Sequence, residues 1–224
     1  MKNSKLLNTV VLADGAFPEH KIPLGILKSA SRIICCDGAA GSLISFGLEP
    51  FAIVGDCDSL NPEIINKYAD RIYEDADQET NDLTKAVRWC SDSGFKDIVI
   101  LGATGKREDH TVGNISLLAE YAQFINVKMI TDTGIFYPAL NSCSFESSPG
   151  QQISIFSINP ETEITTSGLR YPLDKRKLKN WWEATLNEAT GDYFELKFKN
   201  GKIIVFLEFQ PPNPRFSGPG VPLL

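Results

Sequence analysis

Two carboxylates stand one residue apart in Gly55-Asp56-Cys57-Asp58-Ser59, directly after the apolar run Phe51-Ala52-Ile53-Val54. In an extended chain, side chains two positions apart point to the same side, so Asp56 and Asp58 are expected to face one point. Like charges that close repel, and their pKa values rise unless a cation compensates them. A hard divalent ion with oxygen ligands, most simply Mg²⁺, is the obvious compensator, and such ions commonly work beside phosphate-bearing substrates.

A second acidic stretch runs from Asp75 to Lys85 and contains Asp77, Gln78 and Asp82. Thr80 or Asn81 is expected to cap a helix, with Asp82 in its first turn, where the helix dipole favours negative charge. Capping alone would account for Asp82. The sharper alternative makes it a third metal ligand, with Lys85 one turn on as a phosphate contact. A third cluster, Gly102-Ala103-Thr104-Gly105-Lys106-Arg107-Glu108-Asp109-His110, is followed by Asn114. Gly102 and Gly105, between a strand and a helix, allow backbone amides to approach an anion. The spacing fits neither a Walker A loop nor GxGxxG. Arg107 offers a two-pronged donor to phosphate oxygens, and Asp109 is placed to hold it. His110 and Asn114 share a helix face. For His110 a structural role and a nucleotide contact are equally open.

The elements that must position these residues follow from apolar patterning. Thr9-Val10-Val11-Leu12-Ala13, Arg32-Ile33-Ile34-Cys35-Cys36, Phe51 to Val54, Asp97 to Leu101 and Asn126 to Ile130 are continuous apolar runs. Such runs suit parallel strands covered on both faces. Between them, Leu83, Val87 and Cys90 recur at helical spacing, as do Val112, Ile115, Leu118 and Ala119. The predicted fold is therefore α/β: an N-terminal open, mostly parallel sheet with flanking helices. Asp37, Asp56, Asp58 and Gly102 all follow strand ends, the edge at which open sheets of this kind bind ligands.

After about Asn141 the pattern changes. Ser144 to Glu146, Gln152 to Phe156, Tyr193 to Phe198 and Lys202 to Leu207 are strand-like, and several alternate polar with apolar residues. Asn200-Gly201 predicts a tight hairpin joining the last two. The expected division is an α/β nucleotide- and metal-binding domain over 1–141 and a β-sandwich or barrel over 142–210. An irregular Pro- and Gly-rich tail is expected over 211–224.

The formal charge of −6 argues against non-specific nucleic-acid binding. Five cysteines without a CxxC pair are expected to be reduced thiols rather than a disulfide framework or zinc site. The apolar run after Met1-Lys2-Asn3-Ser4-Lys5 is too short for a signal peptide, and no stretch approaches a membrane span. A soluble, cytoplasmic protein with no membrane partner is expected. Trp181 and Trp182 are expected in core or interface packing rather than against a ligand.

Together these segments resemble the thiamine pyrophosphokinase family. The resemblance rests on Cys36-Asp37-Gly38-Ala39-Ala40, Gly55 to Ser59, Asp77-Gln78 with Asn81-Asp82 and Lys85, and Gly102 to His110 with Asn114. Ile164 to Leu173 looks like the family's thiamine-side segment, so the resemblance spans roughly positions 10 to 207 in the family's order. It implies Mg²⁺-dependent transfer of a pyrophosphoryl group from ATP to the hydroxyethyl oxygen of thiamine, with AMP as the other product. Asp56, Asp58 and Asp82 would surround Mg²⁺ and, with Arg107, form the catalytic set. Asp37, Gln78, Lys85, Gly105, Asp109, His110 and Asn114 would line the ATP side, and Thr166, Ser167 and Asn187 the thiamine side. The family works as a homodimer with thiamine between subunits. Two departures stand out: Asn81 where the family usually has Thr, and Leu186-Asn187 where it favours Ser-Asn. Without the resemblance, another Mg²⁺-dependent nucleotide or phosphate enzyme, or a non-catalytic nucleotide or thiamine sensor, would account for the same acids.

Overall fold

In the computed structural model, which describes residues 8–210, the expected apolar runs are strands lying side by side. Six strands pair in parallel in the order β4-β3-β2-β1-β5-β6. They are β1 (Thr9–Leu12), β2 (Arg32–Cys36), β3 (Ala52–Gly55), β4 (Ile72–Glu74), β5 (Asp97–Leu101) and β6 (Asn126–Ile130). Helices α1 (Lys21–Ser29), α2 (Ala39–Ser45), α3 (Pro62–Lys67), α4 (Asp82–Asp92) and α5 (Glu108–Tyr121) connect them. Both faces of the sheet are covered, which is why the strands are apolar throughout. Val10, Leu12, Ile33 and Ile53 pack with Leu27 and Leu43 on one face. Val11, Ile34 and Val54 pack with Leu83, Val87 and Leu118 on the other.

β7 (Gly134–Ala139) turns back antiparallel to β6 and carries the sheet onward through β14 (Ile203–Glu208), β9 (Gln152–Ser157) and β12 (Asn187–Glu188), making ten strands. A second sheet has the order β11-β10-β13-β8, from β8 (Cys143–Glu146), β10 (Glu163–Ser167), β11 (Arg176–Lys177) and β13 (Tyr193–Lys197). It packs on the antiparallel half of the first around Ile155, Ile164, Phe194, Leu196, Ile203 and Val205, all fully buried. At about 1.5–3 kcal/mol for each fully buried side chain, this second core can hold the two sheets together.

Three expectations are corrected. Asn200-Gly201 does not close a hairpin, because β13 and β14 belong to opposite sheets and never pair. Each buries one face in the same sandwich core, so the chain must cross between layers there. Gly201 serves close approach instead: a Cβ on it would lie 2.5 Å from a Thr162 methyl. Val112 is 55% exposed rather than buried. The inward side of α5 carries Asn114, Leu118 and Tyr121, and Val112 lies well round the helix from them. Strands β4, β7, β10, β11 and β12 are not among the expected strands; β4 is only Ile-Tyr-Glu, β11 and β12 are two residues each, and β7 contains Pro138, which sits beyond the point where β6 stops pairing.

All five cysteines are free, with Cys35, Cys36 and Cys90 buried. Trp181 leans on Phe156 with ring centroids 5.7 Å apart, whereas Trp182 is 73% exposed. Among the described residues no helix is long and apolar enough to cross a membrane. The tail expected to be irregular, 211–224, lies outside the described residues.

Candidate functional site

The parallel strands change direction of winding between β1 and β5, the place in an open sheet where ligands bind outside the carboxyl ends of the strands. A cleft of about 280 Å³ occupies this place, lined among others by Asp14, Asp82, Lys106, Arg107 and His110. The loops on either side are joined through their backbones: Gly15 N–H donates to Gly102 O at 2.6 Å and Ala16 N–H to Thr104 O at 2.8 Å. A Cβ on Gly15 would collide with the Gly102 carbonyl, so the loops can meet only with glycine there.

Asp37 ends β2 and is 2% exposed. Its Oδ2 accepts from both the backbone and the hydroxyl of Ser59. Its Oδ1 is buried with no hydrogen-bond partner among the described residues. A carboxylate oxygen left this way favours a cation or donor from outside the chain. Beside it, Gly55 leaves room that a side chain would fill, since a Cβ would lie 2.9 Å from Asp37 Cβ and 3.3 Å from Asp82 Oδ1.

Asp56 and Asp82 approach the same point from different elements, but by another route than simple alternation. Cys57 has φ +65°, a left-handed conformation, so Asp56-Cys57-Asp58 is a turn and not an extended pair. Asp56 Oδ1 accepts the Asp58 N–H at 3.3 Å, and Asp58 itself is exposed. The partner that the turn brings to Asp56 is Lys85. Its ammonium lies 3.3 Å from Asp82 Oδ1 and 4.0 Å from Asp56 Oδ2, on a side chain only 2% exposed. Lys85 is thus a buried counter-charge within the acid cluster rather than a free arm for phosphate. Burial raises the Asp82 pKa; Lys85 opposes that, while Asp56 and Asp37 add to it. The same negative field, after burial, pushes the neighbouring Cys57 thiol upward.

Among the described residues, no trio of His, Cys, Asp or Glu side chains is already gathered into a chelating cluster. The donors nonetheless fit a hard cation in kind: carboxylates at one strand edge, one with an orphaned buried oxygen.

Asn81 caps α4, its Oδ1 accepting the Thr84 N–H at 2.9 Å. Asp77 braces the preceding turn by accepting from Glu79 N–H at 2.9 Å and the Thr80 hydroxyl at 2.8 Å. These bonds hold its carboxyl below the usual range. Gln78 is exposed on the same turn. Arg107 stands at the N-terminus of α5 and is clasped by Asp109, Nε to Oδ1 at 3.1 Å and Nη2 to Oδ2 at 2.5 Å. That clasp, followed by the His110 N–H, lowers the Asp109 pKa to about 2. Asp109 therefore orients the guanidinium, and the Nη1 edge is the one left to meet an anion. His110 lines the cleft and is exposed.

Two residues expected at the ligand also bond within the protein. The Gly105 N–H faces Thr111 Oγ1 at 3.4 Å, and its φ of +89° lets the loop pack against Ala16. Asn114 is 8% exposed and spends its amide on Ala103 O and Asn81. Conversely, Asp14 and Lys106, not singled out from sequence, line the cleft and pair at 2.8 Å. The signal was present: Asp14-Gly15 ends β1 as Asp37-Gly38 ends β2.

On the sandwich, Thr166 is buried and its hydroxyl accepts the Leu173 N–H at 2.9 Å. Asn187 is buried, accepting from Tyr171 N–H at 3.1 Å and donating to Tyr171 O at 2.7 Å. Both fix the 168–173 segment. Ser167 is exposed and donates to Glu195 at 3.0 Å. Tyr171, Trp182 and Leu186 are 60%, 73% and 75% exposed.

Residues 25–130 match the family described as "Thiamin pyrophosphokinase, catalytic domain", and residues 134–206 match "Thiamin pyrophosphokinase, substrate-binding domain". Thiamin pyrophosphokinase 1 of Caenorhabditis elegans is 27% identical over 79% of this chain and 79% of its own length. Thiamine pyrophosphokinase 1 of Oryza sativa subsp. japonica is 29% identical over 65% of this chain, which spans 66% of that relative. The crystal structure of thiamine pyrophosphokinase from Bacillus subtilis has a similar fold, with a TM-score of 0.74 at 22% identity over 91% of this chain and all of that one.

Proposed function

This chain belongs to the thiamine pyrophosphokinase family of enzymes, whose reaction is ATP-dependent pyrophosphoryl transfer to thiamine, and we propose that the acid-lined cleft is where it takes place. The observation that carries this reading is Asp82, which stands with Asp37 beside Gly55, pairs with Lys85 next to Asp56, and lines the cleft together with Lys106 and Arg107. The hydroxyethyl oxygen of thiamine bonds to the β-phosphorus of ATP as the bond from that phosphorus to the α,β-bridging oxygen breaks. AMP leaves with the bridging oxygen, and a carboxylate of the cluster takes the hydroxyl proton.

Such chemistry asks the protein for alignment and charge compensation more than for covalent help. Arg107, aimed by Asp109, binds phosphate oxygens, and Lys106 adds a second positive charge at the same mouth. Asp56, Asp58 and Asp82 would hold Mg²⁺, with Asp37 beside them; bound there, the ion supplies neutralisation of the transferring group. Lys85 stands between Asp56 and Asp82 as a fixed positive charge, 4.0 Å and 3.3 Å from them. The decisive measurement is product identity: thiamine, ATP and Mg²⁺ should give AMP and thiamine diphosphate in equal amounts. Formation of ADP would instead mean an ordinary kinase.

A homodimer belongs to the same proposal. Asn187 on β12 and Asp56 after β3 stand eight places apart in the sheet order, roughly 35–40 Å along the sheet at about 4.8 Å per strand. One chain cannot bring both to one thiamine, whereas a second copy could set its 168–173 segment and exposed Tyr171, Trp182 and Leu186 against the cleft. Sedimentation should give twice the chain mass of 24.7 kDa. A monomer at assay concentration that still turns over would sink the shared site.

A further inference from the structure

We infer that Tyr121, Thr84, Asn81 and Asn114 form a one-way hydrogen-bond relay that sets the first turn of α4 against the Gly102–Arg107 loop, making Asn81 and Asn114 positioning residues of the cleft. The links are Tyr121 Oη to Thr84 Oγ1 at 2.7 Å, Thr84 Oγ1 to Asn81 Oδ1 at 2.7 Å, Asn81 Nδ2 to Asn114 Oδ1 at 3.2 Å, and Asn114 Nδ2 to Ala103 O at 2.9 Å.

Donor inventory fixes its direction. Asn81 Oδ1 already accepts the Thr84 backbone N–H and can donate nothing, so the single Thr84 hydroxyl proton must point at it. Thr84 Oγ1 is then the acceptor, and Tyr121 the donor. Burial keeps the Tyr121 phenol protonated, as that role requires. At the other end only Asn114 Nδ2 can face a carbonyl, which leaves its Oδ1 for Asn81. Flipping either amide would oppose two donors or two acceptors, so each residue has one self-consistent setting.

Thr84, Asn114 and Tyr121 are 7%, 8% and 1% exposed, so water does not readily reach their ends of the relay, whereas Asn81 between them is exposed at the helix start. Asp82 directly follows Asn81, and Lys106 and Arg107 lie on the loop that Ala103 begins. The relay therefore joins the first turn of α4, beside the acids, to the loop that carries the cations, from a buried anchor on the last turn of α5. A Thr at position 81 could cap α4 but has no second group to reach Asn114.

This inference rests on the proposed reaction only for its kinetic readout, so the Asn81→Thr variant is tested in two ways. In hydrogen exchange, residues 102–107 should exchange about fivefold faster, while the peptides of β1, β2 and β5 keep wild-type rates. In the AMP assay kcat should fall about tenfold, with KM for thiamine within about twofold. Tyr121→Phe, which breaks only the first link, should move both readouts in the same direction by less. Unchanged exchange in 102–107, or an increase spread equally over the strands, would overturn the relay. A wild-type enzyme that makes no AMP would overturn the reaction instead, and the exchange result would still decide the relay.

Discussion

Turnover is expected to fall by about three orders of magnitude when Asp56 is replaced by Asn, with the fold intact. The substitution is nearly isosteric, and the amide oxygen can still accept the Asp58 N–H that closes the turn. What disappears is a negative charge facing Lys85 and Asp82, and with it an oxygen ligand for a hard cation. The transition state requires charge already held in place at the phosphate, and water could substitute for it only at the free-energy cost of reorganising. Asp58→Asn should fall with it, although its carboxylate is more exposed. The check is AMP formation at saturating thiamine, ATP and Mg²⁺, together with a thermal midpoint within a few degrees of wild type. Activity within tenfold of wild type would remove Asp56 from the catalytic set.

Replacing Lys85 with Met should produce the second-largest loss, about a hundredfold in turnover, with a stability cost that Mg²⁺ offsets. Lys85 is 3% exposed, a rare state for a lysine unless its charge is paired. Met retains the packing of the stem and deletes only the ammonium. Asp56 and Asp82 would then face one another uncompensated. Their side chains are 26% and 38% exposed, so water screens part of the repulsion and the expected cost is about 1–3 kcal/mol rather than the full penalty of a buried broken pair. The sign with pH follows from the raised Asp82 pKa, which rises further without Lys85. A carboxyl raised in the folded state contributes stability below its unfolded pKa and loses it as pH climbs through the folded value. The deficit of the variant should therefore shrink as pH is lowered from neutral toward about 4. Melting curves with and without Mg²⁺ test this: the shift on adding the ion should be larger in the variant than in wild type. Equal shifts with normal turnover would mean that Lys85 does not compensate the acids.

Much of the first half was legible because its signals are local. Acid-Gly pairs closing apolar runs mark strand ends, and parallel strands place those ends on one edge; Asp37 and Asp56 needed no further information. Arg107 and Asp109, two residues apart at a helix start, were readable as a clasped pair for the same reason. The reading failed where a local rule had two outcomes. Asp56 and Asp58 would share a side in an extended chain, but Cys57 takes a left-handed φ, which residue types did not announce. Asn200-Gly201 carries a hairpin signal, yet β13 and β14 each have a face to bury in the same core and enter opposite sheets.

Sequence by itself therefore determined the family resemblance and the fold class, a mostly parallel α/β sheet followed by an antiparallel β layer, and singled out Asp37, Asp56, Asp82 and Arg107 as candidates. Those follow from residue type, short spacing and order along the chain. Only the tertiary structure decided that Lys85 is buried between Asp56 and Asp82, that Asn114 and Asn187 spend their amides inside the protein, and that Asp14 and Lys106 join the cleft. Whether a polar side chain serves a ligand or the fold depends on which partners burial leaves within hydrogen-bond reach. Those partners come from elements distant along the chain, and local spacing does not encode them.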